Sequence, residues 1–147
     1  MSTVADNRAV ARQALEQVCA RGDMELASEC YAHDFVDHVG RLEYPGLEGV
    51  RRSTSFYRAL FDDLAFEVLD QVVEGDRVAS RWELTGSIRG RAVRLSGITI
   101  SRLRHGRIAE DWSAFDSLEL LRGIGPVRTV LAAPRLLAAL RGANRRG

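Results

Sequence analysis

The fold is decided by residues 65–116, AFEVLDQVVEGDRVASRWELTGSIRGRAVRLSGITISRLRHGRIAEDWSAFD. In this stretch apolar and polar residues alternate in four runs, at 65–74, 77–86, 91–103 and 107–116. Turn-forming pairs such as Gly75-Asp76 and His105-Gly106 separate the runs. Alternation with a period of two indicates β-strands, and short glycine-containing turns between them indicate hairpins. We therefore predict four consecutive strands joined as an antiparallel meander.

The residues before this stretch have helical periodicity instead. Apolar side chains recur every three or four positions, which predicts three helices, at residues 6–21, 24–32 and 47–62. Asp23 stands where it can cap the second helix, and residues 35–39 form a short extended segment. Helices followed by an antiparallel meander are typical of an α+β fold. We expect a cone in which three helices pack into a curved, mainly antiparallel sheet and enclose a hydrophobic pocket.

Length and charge limit the class of protein. The chain has 147 residues, 46% of them hydrophobic, which suits one domain with a core and a cavity. We place that domain at residues 1–125, followed by a basic tail at 126–147 with a short helix at 134–140. The net charge is +1 with both signs interspersed, so we expect a hydrophobic small molecule as the partner, and neither nucleic acid nor a membrane. Because the chain contains no lysine, Schiff-base chemistry on a lysine is excluded.

Cysteine usage and the strand pattern predict the setting and the assembly. Cys19 and Cys30 lie in helical patterns without metal-binding or redox spacing, and no apolar run is long enough to cross a bilayer. We therefore expect a cytoplasmic protein with free thiols. Both faces of the predicted strands carry apolar side chains, although only one face can cover the pocket. Because the other apolar face also needs to be covered, we predict a homodimer.

Five motifs occur in order along the chain. They are Tyr31-Ala-His-Asp-Phe-Val-Asp-His38, Pro45-Gly-Leu-Glu-Gly-Val50, Phe61-Asp-Asp-Leu-Ala-Phe66, Gly75-Asp-Arg-Val-Ala-Ser-Arg81-Trp82 and His105-Gly-Arg-Ile-Ala-Glu-Asp-Trp112-Ser-Ala-Phe-Asp116. Together they resemble the SnoaL-like polyketide cyclases of the nuclear-transport-factor-two-like superfamily. The resemblance implies an enzyme that closes a ring in a polyketide-derived intermediate by aldol-type acid/base chemistry, with no metal or other cofactor.

The resemblance also implies a catalytic carboxylate near the end of the last strand. Asp116 is the best match, and Asp111 in the same strand is a rival. Strict alternation places Asp116 on the face of Ile108 and Trp112, at the floor of the pocket. Asp116 can also cap a helix that begins at Ser117, and the two roles are compatible. An apolar pocket raises the pKa of a carboxyl group, which can then accept a proton from a carbon acid and return it to an alkoxide.

A second polar wall is expected from the first extended segment. His38 and Asp37 are neighbours in a strand, so only one of them can point inward. The family's aspartate–histidine pair favours His38, which would position a carbonyl group or relay a proton. Aromatic residues Phe56, Tyr57 and Trp112 are expected to line the pocket. The three histidines lack the close spacing of a metal site.

Two alternative functions remain open. Arg81 and Glu83, taken with Asp116, resemble the triad of limonene-epoxide-hydrolase-like enzymes, in which carboxylates and an arginine activate water and open an epoxide. A structural ion pair between Arg81 and Glu83 would explain the same residues. The chain could instead be a non-catalytic dimeric binder of a hydrophobic small molecule. Ketosteroid isomerase activity is not expected, because Leu15 stands where those isomerases carry the tyrosine of their oxyanion hole.

Overall fold

Residues 3–125 are the part of the chain that the computed structural model describes. The helices in this part are α1 (Val4–Gln13), α2 (Met24–Cys30), α3 (Gly46–Leu60) and α4 (Ser117–Ile124), and a π-helical segment, Ala14–Cys19, continues α1. The strands are β1 (Tyr31–Val39), β2 (Leu42–Pro45), β3 (Ala65–Glu74), β4 (Arg77–Ile88), β5 (Arg91–Arg104) and β6 (Arg107–Phe115). The tail predicted at 126–147 lies outside the described residues.

Local capping explains where the first helices begin. Thr3 and Asp6 bond to each other's backbone amides at the start of α1, and Asp23 accepts a hydrogen bond from the Leu26 amide at 3.0 Å. The predicted cap at Asp23 is therefore confirmed. The helix predicted at 6–21 is present as α1 and the π-helical segment together. No helix among residues 3–125 has the length and apolar character needed to span a bilayer.

All six strands form one curved sheet in the order β2-β1-β6-β5-β4-β3. The pair β1–β6 is parallel, and the other neighbouring pairs are antiparallel. The predicted α+β fold, with a mainly antiparallel sheet and three helices before the meander, is confirmed. Two features were not predicted. Strand β2 lies between the extended segment predicted at 35–39 and the helix predicted at 47–62, and β1 is longer than that extended segment.

A β-bulge interrupts the alternation of β6. Ile108 is paired with Leu103 of β5 and Glu110 with Arg102, which leaves Ala109 between them without a cross-strand partner. One extra residue shifts every later side chain to the opposite face of a strand. Ile108 and Asp111 are consequently both buried, although an odd spacing of three positions would place them on opposite faces of a regular strand.

The interior is divided into two apolar clusters. One packs α1, the π-helical segment and α2 against the sheet around Val18, Phe35 and Ile108. The other lies under α3 and α4 around Trp82 and its neighbours Phe61, Leu84 and Leu95. Side chains of the second cluster also border an open cavity, so they belong both to the core and to the cavity wall.

Candidate functional site

A cavity of about 410 Å³ lies between the concave side of the sheet and the helices. Its wall is mainly apolar and aromatic, and includes Leu15, Phe35, Val50, Phe56, Tyr57, Phe66, Trp82, Leu84, Leu95, Phe115 and Leu120. A cavity of several hundred Å³ with few polar groups is typical of small-molecule sites. The polar groups in the wall therefore determine which chemistry the cavity can support.

Two aspartates stand side by side in the cavity wall. Asp37 of β1 and Asp111 of β6 are direct partners in the parallel strand pair, and both line the cavity. Neighbouring strands lie about 4.8 Å apart, so the two carboxyl groups are within reach of each other. One oxygen of each, Oδ1, is buried and has no hydrogen-bond partner among the described residues. Unpaired buried oxygens facing a cavity are available to a ligand or to a shared proton.

Burial raises the pKa of both carboxyl groups. Desolvation is the main cause in each case, and the pKa is about 6 for Asp37 and about 8 for Asp111. The charge of Asp37 raises the pKa of Asp111 further, whereas a hydrogen bond with Ser101 opposes the rise. His38 lowers the pKa of Asp37. Because adjacent like charges resist joint ionisation, the pair retains one proton between these two values.

The buried thiol and phenol groups around the pair are neutral at ordinary pH. Burial raises the pKa of the Cys19 thiol to about 12, and it also raises the pKa of the Tyr31 and Tyr57 phenols. The Cys19 sulfur and the Tyr31 hydroxyl are 3.9 Å apart. Arg52 is the one basic residue among the described residues that line the cavity. Within residues 3–125, no three His, Cys, Asp or Glu side chains are grouped to hold a metal ion.

A chain of hydrogen bonds links three residues of the cavity wall across strands β4, β5 and β6. The Trp82 indole N–H donates to Thr99 Oγ1 at 2.9 Å, and Thr99 Oγ1 lies 2.9 Å from Ser113 Oγ. Trp82 and Thr99 are buried, and Thr99 and Ser113 both line the cavity. Ser113 follows Asp111 by two positions in β6, beyond the bulge, so both side chains face inward.

Residues 9–124 match the sequence family described as SnoaL-like polyketide cyclase. The match covers most of the chain. This protein belongs to the SnoaL-like polyketide cyclase family. No curated protein sequence matches the chain.

Solved structures agree with the family assignment. A candidate polyketide cyclase from Bacillus cereus is 27% identical, with a TM-score of 0.74, over 82% of this chain and 80% of that one. IdmH, a candidate polyketide cyclase from Streptomyces antibioticus, is 30% identical, with a TM-score of 0.68, over 84% of this chain and 99% of its own. AclR from Streptomyces galilaeus, described as a candidate hydroxylase, shares the fold at 22% identity and a TM-score of 0.72, over 84% and 100% of the two chains.

In this SnoaL-like chain, Asp116 lies outside the cavity wall. It is exposed at the start of α4, where its carboxylate accepts hydrogen bonds from the amides of Leu118 at 2.9 Å and Glu119 at 3.4 Å. Its predicted position at the pocket floor was wrong. The strict alternation used for that prediction fails at the bulge, which turns Asp111 inward. The predicted capping of a helix at Ser117 is confirmed.

His38 and Trp112 lie on the outer face of the sheet. Their rings stack with centroids 5.4 Å apart and an interplanar angle of 11°, and His38 Nδ1 lies 3.4 Å from Glu43 Oε1. Neither residue lines the cavity. The expectation that His38 points inward was therefore wrong, because the register of β1 with β6 directs Asp37 inward instead.

Arg81 and Glu83 also lie on the outer face. Arg81 is exposed, and Glu83 forms an ion pair with Arg94 of the next strand at 3.3 Å. Their buried strand neighbours Trp82 and Leu84 face the cavity instead. The cavity wall thus contains neither of these residues nor Asp116, and the triad expected for epoxide opening is not assembled. The ion pair between Arg81 and Glu83, considered as an alternative role for these residues, is not formed, because Glu83 pairs with Arg94 instead.

Besides Asp37, two of the three aromatic residues predicted for the pocket line the cavity, and the prediction for Trp112 was wrong. Phe56 and Tyr57 of α3 both contribute to the wall, with their rings 5.6 Å apart in an edge-on arrangement. Thr99 and Ser113 were not predicted. Single hydroxyl residues in strands carry no signal by themselves, and only their alignment across β5 and β6 makes them a pair.

Proposed function

We propose that this SnoaL-like protein closes a ring in a polyketide-derived substrate by acid/base catalysis, using Asp37 and Asp111. The observation that carries the proposal is the pairing of these two carboxyl groups in the wall of an apolar cavity. One carboxylate and one carboxylic acid, held side by side, are the two reagents that an intramolecular aldol reaction requires. Family membership supports the substrate class.

We assign Asp37 as the base, because it is less buried than Asp111 and its neighbour His38 lowers its pKa, which favours the carboxylate. Its carboxylate removes a proton from a carbon next to a substrate carbonyl group, and the resulting enolate carbon attacks a second carbonyl carbon. A C–H bond is broken and a C–C bond forms. The oxygen of the second carbonyl group takes its proton from Asp111, so the product is a hydroxyl group. Asp37 is then protonated and Asp111 ionised.

The pairing of the two carboxyl groups also explains how the site returns to its starting state. The proton on Asp37 can pass directly to Asp111, because the two side chains are adjacent in neighbouring strands. No net proton is consumed in the cycle. The apolar wall excludes water, which protects the enolate from protonation by solvent before ring closure.

Substitution of the pair tests this proposal. Asp111→Asn and Asp37→Asn should each lower kcat/KM for ring closure of an aryl-tethered β-triketone by about 100-fold or more, because each removes one of the two proton-transfer groups. Product formation is followed by ultraviolet absorbance. Asp116→Asn is the matched control, since asparagine keeps the cap of α4, and it should leave turnover unchanged.

Unchanged turnover in Asp37→Asn and Asp111→Asn, with lost turnover in Asp116→Asn, would identify Asp116 as the catalytic carboxylate and contradict a role for the pair. Tight binding of the triketone without any turnover would favour the alternative, a non-catalytic binder. An epoxide-opening activity has no support from the cavity wall, since Arg81 and Glu83 lie outside it.

The pH dependence provides a second test. Catalysis requires one proton on the pair, so kcat/KM should rise as Asp37 ionises near pH 6 and fall as Asp111 ionises near pH 8. The measurement is a pH–rate profile of the wild-type protein. A profile that is flat across this interval would contradict the shared-proton mechanism.

We also propose that the protein is a homodimer that pairs through the outer face of the sheet. Val72, Ile98 and Ile100 are 65%, 49% and 40% exposed on this face. The same face carries both Arg94 and Glu83, and this mixture of charges avoids a single-sign field that would repel a second copy.

A further inference from the structure

The hydrogen-bond chain of Trp82, Thr99 and Ser113 has a direction that the chemistry of its groups determines. An indole N–H only donates, so Thr99 Oγ1 accepts the bond from Trp82. The single hydroxyl proton of Thr99 must then be donated elsewhere. Ser113 Oγ, at 2.9 Å, is the other hydrogen-bond partner of Thr99 Oγ1.

The reverse direction would leave a buried donor without an acceptor. If Ser113 donated to Thr99, the proton of Thr99 would have no acceptor in its hydrogen-bond set, although Thr99 is only 2% exposed. An unsatisfied buried donor is costly. Ser113 is less buried and faces the cavity, where a ligand can accept its proton. The arrangement that leaves no buried donor unsatisfied runs from Trp82 to Thr99 to Ser113, and it leaves the Ser113 hydroxyl proton available to a ligand in the cavity.

Ser113 stands at a useful distance from the proposed acid/base pair. Its side chain follows that of Asp111 on the same face of β6, about 7 Å along the strand, and its partner in β1 is Val39, two positions beyond Asp37. A base and an oxyanion donor each act over about 3 Å on different atoms of one ketone. The spacing therefore accommodates a C–C=O unit between the carboxyl pair and the Ser113 hydroxyl.

We propose that Ser113 is a catalytic hydrogen-bond donor that stabilises the enolate oxygen, and that Thr99, held by Trp82, is the positioning residue that aims it. This inference rests on the proposed function for the origin of the enolate. In this role the Ser113 hydroxyl is also the group that recognises a ketone oxygen of the substrate. A ligand with an aromatic ring and an anionic oxygen should bind best with that oxygen at Ser113.

The test uses 4-nitrophenol as the probe, because its phenol and phenolate forms differ in visible absorbance. The ratio of phenolate to phenol affinity is measured by titration in the wild type and in an Asp37→Asn background, where a neutral residue replaces that carboxylate. Ser113→Ala should lower this ratio about ten-fold, since a hydrogen bond to a charged acceptor is lost. An unchanged ratio in both backgrounds would overturn the proposal.

Variants of Thr99 test whether its hydroxyl positions the Ser113 hydroxyl or whether its side chain only fills space. Thr99→Val keeps the shape but removes the hydroxyl, and should lower the ratio by less than Ser113→Ala, because Ser113 remains but can rotate. Thr99→Ser keeps the hydroxyl and should restore the ratio. In the double variant Ser113→Ala/Thr99→Val the loss should equal that of Ser113→Ala alone. A Thr99→Ser protein as impaired as Thr99→Val would overturn the positioning role.

Ser80→Ala is the matched control. Ser80 is another fully buried strand hydroxyl, bonded to Gln71 at 3.0 Å, and it does not line the cavity. Loss of the Ser80 hydroxyl should lower the midpoint of urea unfolding without changing the ratio of phenolate to phenol affinity. A changed ratio in Ser80→Ala would show that general loosening of the sheet explains the Ser113 result. Because the readout is binding, it can succeed or fail independently of the turnover loss expected for Asp111→Asn.

Discussion

The Asp111 carboxyl occupies a position where its charged form is costly. It is 7% exposed, its pKa is raised to about 8 by burial and by Asp37, and one of its oxygens has no hydrogen-bond partner among the described residues. In an unfolded chain the same group titrates near its ordinary value of about 4. The folded state therefore binds a proton more tightly than the unfolded state does. The burial that suits Asp111 to the proposed acid/base role therefore lowers stability at neutral and alkaline pH.

The free energy of unfolding should accordingly depend on pH through Asp111. Between about pH 4 and about pH 8 the folded state holds the extra proton, so its stability should fall as pH rises. Asp111→Asn removes this titration. We expect the variant to be more stable than the wild type at about pH 9, by on the order of a few kcal/mol, with a smaller difference at about pH 5. Urea unfolding at the two pH values measures the effect, and an equal midpoint shift at both would contradict it.

The sequence identifies the candidate catalytic carboxylates better than it predicts which of them face the cavity. Asp37, Asp111 and Asp116 are all identifiable as carboxylates in or next to predicted strands. Which of them face the cavity depends on a single unpaired residue, Ala109, and on the parallel register of β1 with β6. A bulge has no reliable signature in one sequence, because alanine fits a regular strand equally well. Residue types could be predicted from the sequence, but strand faces beyond the bulge could not.

The strand pair β4–β5 depends on a glycine beneath an aromatic ring. Trp82 is the direct partner of Gly97, and its indole lies across the Gly97 backbone so closely that a β-carbon there would collide with the ring. The absence of a side chain at Gly97 thus allows Trp82 to lie flat on the sheet and reach Thr99. This pair is an example of an aromatic residue that covers a strand glycine.

Gly97→Ala should displace the Trp82 ring. The added methyl group overpacks the site, and we expect a loss of about 1–3 kcal/mol of stability. The Trp82–Thr99 hydrogen bond should also break, which should change the near-ultraviolet circular dichroism of the tryptophan. Gly90→Ala is a comparison in the β4–β5 turn, where a β-carbon has no neighbour within 4 Å but the positive φ of 77° still strains alanine. It should lower stability without altering the tryptophan signal, and identical spectra for Gly97→Ala and the wild type would contradict the displacement.

Elements were predictable where their pattern is local. The three helices and the four hairpin-linked strands follow from period and turn residues within each segment. The parallel pairing of β1 with β6 joins distant parts of the chain and leaves no local pattern. Strand β2 was missed because it is four residues long and ends at Pro45, so its composition resembles that of a turn.

At the scale of the whole molecule, the two faces of the sheet differ in character. The concave face encloses the cavity, whereas the outer face exposes the apolar side chains of Val72, Ile98 and Ile100. Charged pairs such as Arg102–Glu110, 3.2 Å apart, border this apolar area. An apolar centre with a mixed-charge border is the arrangement found in self-complementary interfaces.

Ile98→Arg should convert the proposed dimer to a monomer. It places two like charges near the centre of a symmetric interface, where they cannot be solvated. The wild type should elute with twice the mass of the 16.3 kDa chain in size-exclusion chromatography with light scattering. Val4→Arg, at an exposed apolar residue of α1, should leave the mass unchanged. A monomeric wild type, or a dimer that persists in Ile98→Arg, would refute this assembly.

The pairing of β1 with β6 has a consequence for the order of events during folding. Asp37 and Asp111 lie near opposite ends of the domain sequence, while β3, β4 and β5 between them are joined by short hairpins. Contacts between distant segments close late, because loop entropy opposes them. We expect the hairpins to form first, with both aspartates still in water and titrating as ordinary acids. The carboxyl pair would then form only in the last docking step, so the shared proton proposed for catalysis would be a property of the fully folded domain alone.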